Sequence, residues 1–420
     1  MNITKELMSF IDNSPSVFHV IDNFKKTLTE NGFTELKFKD NWKIENGKGY
    51  FVTNNDSSII AFKGSSDFDN IRLIGSHSDS PTFRIKPNSI VNKDGFLTLN
   101  TEVYGGPILS TWFDRPLSVA GRVVLKSDNP FKPEIKHINV DKNLLIIPNV
   151  AIHMNRDVNN GYKFNAQKDT LPLLALSEKD SKISFEEILA RNTGINSEDI
   201  LDFDLFLYDR QKGEFVGEND EFYSVGRIDN LGMAFNSIKS LIDSDVTNTL
   251  ALAMVFDNEE IGSSTKQGAG STLLSDCFKK IVEDNSKNFY EVLHNSYLIS
   301  ADQAHSLHPN YTEMADPTNR PLINNGPVIK YAANGAYTSD AVSSSIFKKL
   351  CLDKNIPCQE FTNRSDKRGG STIGPITVSN LDIQSIDIGN AILSMHSVRE
   401  LGGCKDNEYI YELFKYYYEY

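Results

Sequence analysis

The chain has 420 residues, 39% apolar and 24% charged, with a formal net charge of −13; its length exceeds what one ordinary compact core holds, so two domains are expected. The acidic balance disfavours phosphate backbones and anionic membrane surfaces, so neither nucleic acid nor membrane is an expected partner. No run approaches the ~20 apolar residues that a membrane span needs.

In chain order, residues 1–10 carry charges inside an apolar pattern and read as an amphipathic helix, not a signal peptide. Helical spacing follows at 17–28, and short strands are expected at 49–53 and 58–62. Residues 71–74 form a short apolar strand that runs into a loop bracketed by Gly75 and Pro81, on which His77 and Asp79 lie. Open α/β sheets place ligand sites at that carboxyl edge. From 86 to 223 the texture changes. Short β-like runs at 96–99, Leu117–Leu125, 144–147 and 203–208 are punctuated by Gly, Pro and Asn, with one helical stretch at 185–191. This reads as a mainly β domain of 86–223 inserted into an α/β domain made of 1–85 and 224–420. Such insertions serve assembly or cover a site, and composition leaves both roles open.

The α/β texture resumes at 224–232, which carries Asp229, and a helix follows to Ile242, then the strand Leu250–Phe256 and a helix at 268–282. A strand at Tyr297–Ala301, a helix at 336–353, a strand at 384–388 and a closing helix at 408–418 follow. Strands alternating with helices indicate a largely parallel sheet covered by helices. Residues 311–325, rich in Pro and Asn, are expected to be a long loop. Cys277, Cys351, Cys358 and Cys404 are scattered without pairwise spacing. That pattern suits a reducing cytoplasm and argues against both a disulfide framework and a thiolate zinc site.

The chemistry concentrates where the run 250–256 ends in Asp257-Asn258-Glu259-Glu260. Carboxylates crowded at the end of a buried strand repel and lose hydration, which is unfavourable unless a cation or a shared proton relieves it. A solvated acidic turn is the plainer alternative. Other strand ends of the α/β half carry the same residue types: His77 with Asp79, Asp229, Asp302 and His396. Imidazole plus carboxylate without thiolate is the ligand set of hydrolytic zinc, or of cobalt or manganese in its place. The count suits two ions sharing one acid, with one His and one further acid for each. No single member is specific; the joint pattern carries the reading.

Six segments share a further likeness: SHSDSPTFRIKP at 76–87, GRIDNL at 226–231, FDNEEIGS at 256–263, SADQAHSLHPNY at 300–311, GSTIGP at 370–375 and SMHSVRE at 394–400. In this order and over nearly the whole chain, the sequence resembles the aspartyl aminopeptidase type of co-catalytic dizinc aminopeptidase, relatives of yeast vacuolar aminopeptidase I. Many relatives have Thr where Ser78 stands, a change that touches no ligand.

The resemblance implies a zinc-peptidase fold and an aminopeptidase acting on peptides with two divalent ions. His77, Asp229 and Asp302 would hold metal, with Asp229 bridging, and Glu260 and His396 would complete the second ion's shell. Glu259 would be the general base, and Asp79 would orient His77. A cis peptide is implied at Asp229–Asn230. His153 would reach a neighbouring subunit's site and hydrogen-bond the developing oxyanion; a direct metal ligand and a core histidine are its alternatives. Lys330 would lie near the pocket for the substrate's first side chain, where a cation favours acidic residues, and a surface lysine is the other reading. Gly370 and Ser371 would open a helix whose free N–H groups face substrate, or form a tight turn. His305 and His308 read as support for the loop behind Asp302. The implied assembly is a dimer through the inserted domain and a tetrahedral dodecamer. A dizinc amidohydrolase acting on N-acyl amino acids and an inactive scaffold are the rival functions.

Overall fold

The computed structural model describes residues 2–177 and 183–420. Nine of the described strands form the larger sheet, in the order Thr34–Glu35, Gly49–Asn54, Ser58–Gly64, Leu250–Phe256, Ile71–His77, Tyr297–Ala301, Gln384–Gly389, Val328–Lys330 and Gln359–Phe361. The four from Leu250–Phe256 to Gln384–Gly389 run parallel. Antiparallel pairings join the flanking strands on both sides.

Leu250–Phe256 is buried at every position, as a strand covered on both faces must be. Its side chains alternate between two cores. Ala251, Ala253 and Val255 face one with the helices Ile3–Asp12, Val17–Glu30, Ile228–Asp243 and Cys404–Glu419. Leu250, Leu252, Met254 and Phe256 face the other with Leu273–Asp284 and Phe289–Asn295. The register pairs Phe256 with His77 and Ser300 with Gly75. Parallel strands in that register bring His77, the 257–260 turn and Asp302 to one sheet edge.

A second, antiparallel sheet runs Glu134–Asn139, Leu117–Leu125, Ile200–Asp209, Thr82–Lys93, Phe96–Tyr104 and Leu173–Leu176. Its buried face packs on the helix Phe185–Thr193. The boundary expected at residue 86 falls inside the strand Thr82–Lys93. Pro87 and the left-handed Asn88 sit where that strand's register shifts, and they interrupt the alternation that would have marked it. The upper boundary also moves. Glu214–Val216 pairs with Phe222–Val225, which in turn pairs with Glu400–Gly403 of the α/β half, and the second sheet's last strand ends at Asp209.

Element ends shift for local reasons. The helix expected over 1–10 runs Ile3–Asp12 with Asn2 capping Lys5 N–H, Met1 lying outside the described residues. Helix 268–282 starts instead at Leu273, because Gly268 and Gly270 turn tightly against the Ser263 carbonyl. Helix 336–353 starts at Ala341, where Asp340 and Ser343 cap each other reciprocally. The closing helix begins earlier, at Cys404. Residues 144–147 make only isolated bridges, Leu145 to Leu117 and Ile146 to Leu173. Among the described residues no helix is long and apolar enough to cross a membrane.

Candidate metal centre

Two clusters form at the carboxyl edge of the parallel strands. His77, Asp229 and Asp302 offer ligand atoms within 4.8 Å of one another, and so do Asp229, Glu260 and His396. His77 Nε2 stands 3.5 Å from Asp229 Oδ1 and 3.5 Å from Asp302 Oδ1. His396 Nε2 stands 3.4 Å from Asp229 Oδ2 and 3.5 Å from Glu260 Oε2. Each oxygen of Asp229 therefore faces a different imidazole.

These spacings test whether divalent ions fit. A direct imidazole–carboxylate hydrogen bond closes to about 2.7–3.0 Å. Donor atoms about 2.0–2.2 Å from a tetrahedral ion stand about 3.4 Å apart. The observed 3.4–3.5 Å belongs to the second geometry. Asp229 Oδ1 and Glu260 Oε1 are also buried without accepting a hydrogen bond, which is costly unless a cation satisfies them. The residues fit divalent metal.

Burial and crowding set the electrostatics. Glu259 is pushed up to about 8, chiefly by burial, against the pull of His77 and with Asp302, Asp229 and Asp79 adding to the rise. Burial likewise raises Glu260 well above the ordinary carboxyl value and lifts Asp257 to about 7. Asp229 goes the other way: burial works against its charge, but His396 and His77 hold it far below the usual range. Glu259 Oε2 lies 3.9 Å from His77 Nε2 and belongs to neither cluster.

Two further carboxylates hold the clusters through backbone amides. Asp79 Oδ1 and Oδ2 accept the N–H groups of Glu259 and Glu260, both at 3.1 Å. Asp79 also sits 3.3 Å from His77 Nδ1, the ring nitrogen facing away from the cluster. Glu400, 2% exposed, accepts Asp229 N–H at 2.9 Å and His396 N–H at 2.8 Å. Sequence reasoning gave Glu400 no role; it stands in the segment SMHSVRE, but no ligand count called for another acid. Glu400→Gln would set an amide NH2 against one of those two N–H groups. An unsatisfied buried donor costs about 1–3 kcal/mol. Urea unfolding should show that loss, and equilibrium dialysis should show weaker zinc retention.

Backbone conformation is constrained at the same points. Arg227 (φ 61), Asn258 (φ 61) and His396 (φ 67) are left-handed non-glycine residues. Each such residue costs on the order of 1–3 kcal/mol and persists only where the surroundings fix it. The Asp229–Asn230 peptide is cis.

The other expected site residues lie as follows. Lys330 is not a surface lysine: it is 2% exposed, its Nζ 3.4 Å from Asp302 Oδ2 and donating to the Gln303 carbonyl at 2.9 Å. Burial opposes its charge, but Asp302 and the surrounding acids keep its pKa above the ordinary value. Gly370 and Ser371 are exposed and lead into the helix Ile373–Asn380. His153 is exposed between Ile152 and Met154, themselves exposed apolar side chains, and belongs to neither cluster. His305 packs on Phe361 and His308 on Tyr311.

A partly buried carboxylate standing outside the paired acid–imidazole clusters, at the edge where α/β sheets bind ligands, defines a metal-dependent hydrolase. Within that class the chain belongs to the M18 family: the family model described as aminopeptidase I zinc metalloprotease (M18) matches residues 10–418. It is accordingly a metal-dependent aminopeptidase. The chain is 49% identical to a probable M18 family aminopeptidase 2 of Clostridium novyi, over 100% of this chain and 99% of the relative. It is 36% identical to a probable aspartyl aminopeptidase of Ricinus communis, over 100% and 95%. The solved dodecamer of S. cerevisiae mApe1 superposes with a TM-score of 0.87 at 26% identity, covering 100% of this chain and 97% of that one.

Proposed function

We propose that the protein removes N-terminal residues, acidic ones preferentially, from peptides at a site holding two divalent ions, zinc in the first instance. The observation that carries the two-ion reading is Asp229, whose two oxygens face His77 on one side and His396 on the other. When bound, the ions supply Lewis-acid polarisation of the scissile carbonyl and make water a nucleophile near neutral pH. His77, Asp229 and Asp302 would hold one, and Asp229, Glu260 and His396 the other.

Glu259 takes a proton from the attacking water and passes it to the leaving amine. Asp79 and Glu400 keep the ligand-bearing turns in place through backbone amides. The N–H groups opening the helix after Gly370 and Ser371 face the substrate backbone. Lys330, buried against Asp302, lends positive charge to the pocket for the first side chain. The likeness to a protein named probable aspartyl aminopeptidase supports the acidic preference.

The antiparallel lobe from Thr82 to Asp209 is read as the dimerisation and covering domain. Its exposed Val150, Ile152 and Met154 suit contact with a second copy, and that contact carries His153 to the partner's oxyanion. The dodecamer of the yeast relative supports a homo-oligomer; a tetrahedral arrangement of dimers is the form this reading gives it. Four unpaired cysteines suit the cytoplasm.

Turnover of Asp-, Glu-, Leu- and Met-initiated peptides, each with a free and an acetylated amine, tests the substrate reading. Acidic free-amine peptides should be cleaved fastest, acetylated ones should resist, and EDTA should abolish activity that zinc restores. Equal cleavage of free and acetylated peptides would point to an amidohydrolase instead. Leu or Met outrunning Asp and Glu would remove the acidic preference.

A further inference from the structure

The strand Phe96–Tyr104 belongs to the antiparallel lobe, yet its last residue and the four that follow lie across the metal centre. Tyr104 donates its hydroxyl proton to Asp79 Oδ2 at 2.8 Å and accepts from Asn258 Nδ2 at 2.8 Å. The Gly106 carbonyl lies 3.0 Å from His396 Nδ1. A carbonyl only accepts, so Nδ1 carries the proton, and Nε2 turns its lone pair toward Asp229 and Glu260. Ile108 N–H donates to the His396 carbonyl at 2.9 Å, closing a second bond to the same residue.

Gly105 is the tightest point. Its φ is +70, a left-handed conformation that glycine adopts freely. A Cβ there would stand 3.1 Å from Glu260 Cβ and 3.3 Å from Glu260 Oε2. Glu260 thus has the lobe's backbone close on one side, with room for glycine but not for a Cβ, and is held on the other through its own N–H by Asp79.

We infer that residues 104–108 are a positioning strap. Through them the antiparallel lobe sets the tautomer of His396 and the placement of Glu260, and so the metal affinity of that half of the centre. The inference rests on the reading of His396 and Glu260 as ligands. A tie that merely joins two lobes would need neither a carbonyl on Nδ1 nor a glycine against a ligand carboxylate. It also implies that displacing the lobe alters metal retention without any change in the ligand residues themselves.

The test uses the full chain with Gly105→Ala and Tyr104→Phe. Zinc is titrated out with graded EDTA, followed by metal analysis and by kcat and KM on an acidic peptide. Gly105→Ala should release its more weakly held zinc at roughly 10-fold lower EDTA, or lower still, and lose about 10-fold in kcat with KM little changed. Tyr104→Phe, which creates no clash, should shift both in the same direction by several-fold. Urea unfolding of the metal-free chains reports separately the stability lost to the unpaired Asp79 and Asn258 groups and to the strained backbone at 105, so that the zinc shift is read apart from it. Two results would overturn the strap: both variants holding zinc and turning over as wild type does, or both destabilising the metal-free chain while zinc retention is unchanged. Should Gly105→Ala not fold, Tyr104→Phe decides alone by the same criteria. Glu260→Gln separates the two levels. Weakened zinc there alongside unmoved strap variants sinks the strap and leaves the metal reading standing; unweakened zinc there removes the reading beneath both.

Discussion

Glu259→Gln is expected to leave bound zinc at its wild-type level and to lower kcat by on the order of 10²–10⁴, the range a lost general acid–base contributes. The separation of effects follows from position. Glu259 is in neither acid–imidazole cluster, and its nearest oxygen is 3.9 Å from His77 Nε2, too far to hold that ring. Its N–H, which Asp79 accepts at 3.1 Å, is untouched by the substitution. Glutamine therefore keeps the shape of the turn and removes only the group that can carry a proton. KM should change little, because glutamine keeps the size of the side chain and the backbone placement of residue 259. Turnover within a few-fold of wild type would take the base assignment away from Glu259. A parallel loss of zinc would make it a ligand.

Asp229→Asn is expected to act on both halves of the centre together. The aspartate presents Oδ1 to the His77 cluster and Oδ2 to the His396 cluster. The amide keeps one acceptor and turns an N–H2 toward the other side, where it repels a cation. Bound zinc should fall to at most one ion per chain, and activity by about 10³-fold or more, since on the proposed reading this charge would bind both ions. Asp302→Asn is the control, for it belongs to one cluster alone. Its zinc loss should be confined to one ion. Two ions retained in Asp229→Asn, measured by metal analysis after gel filtration, would end the shared-carboxylate reading.

The sequence showed the centre where chemistry depends on side-chain type and hid it where chemistry depends on backbone. His77, Glu259, Glu260 and Asp302 each stand within four residues of the end of an apolar run, because parallel strands buried on both faces leave their carboxyl ends as the place for polar groups. The structure brings these residues close to Asp229 and His396. Glu400, Tyr104 and Gly106 gave no such signal. They act by accepting backbone N–H groups, by holding a second carboxylate, or by presenting a carbonyl, roles that a sequence spells no differently from an ordinary strand end. The lobe boundary was missed for a related reason. Thr82–Lys93 has Pro87 within it and only three buried residues, so it lacked the regular alternation by which a strand declares itself.

Because Asp79 and Glu400 grip peptide amides, the posture of the cage belongs to the main chain, and the side chains proposed to touch metal would be replaceable fittings on it. Exchanging an imidazole for a carboxylate at 77 or 396 would thus alter which cation is preferred while the turns that present those positions stay put. Lineages built on this frame have a route to new metal preferences that leaves the architecture intact, and protein engineers have the same one.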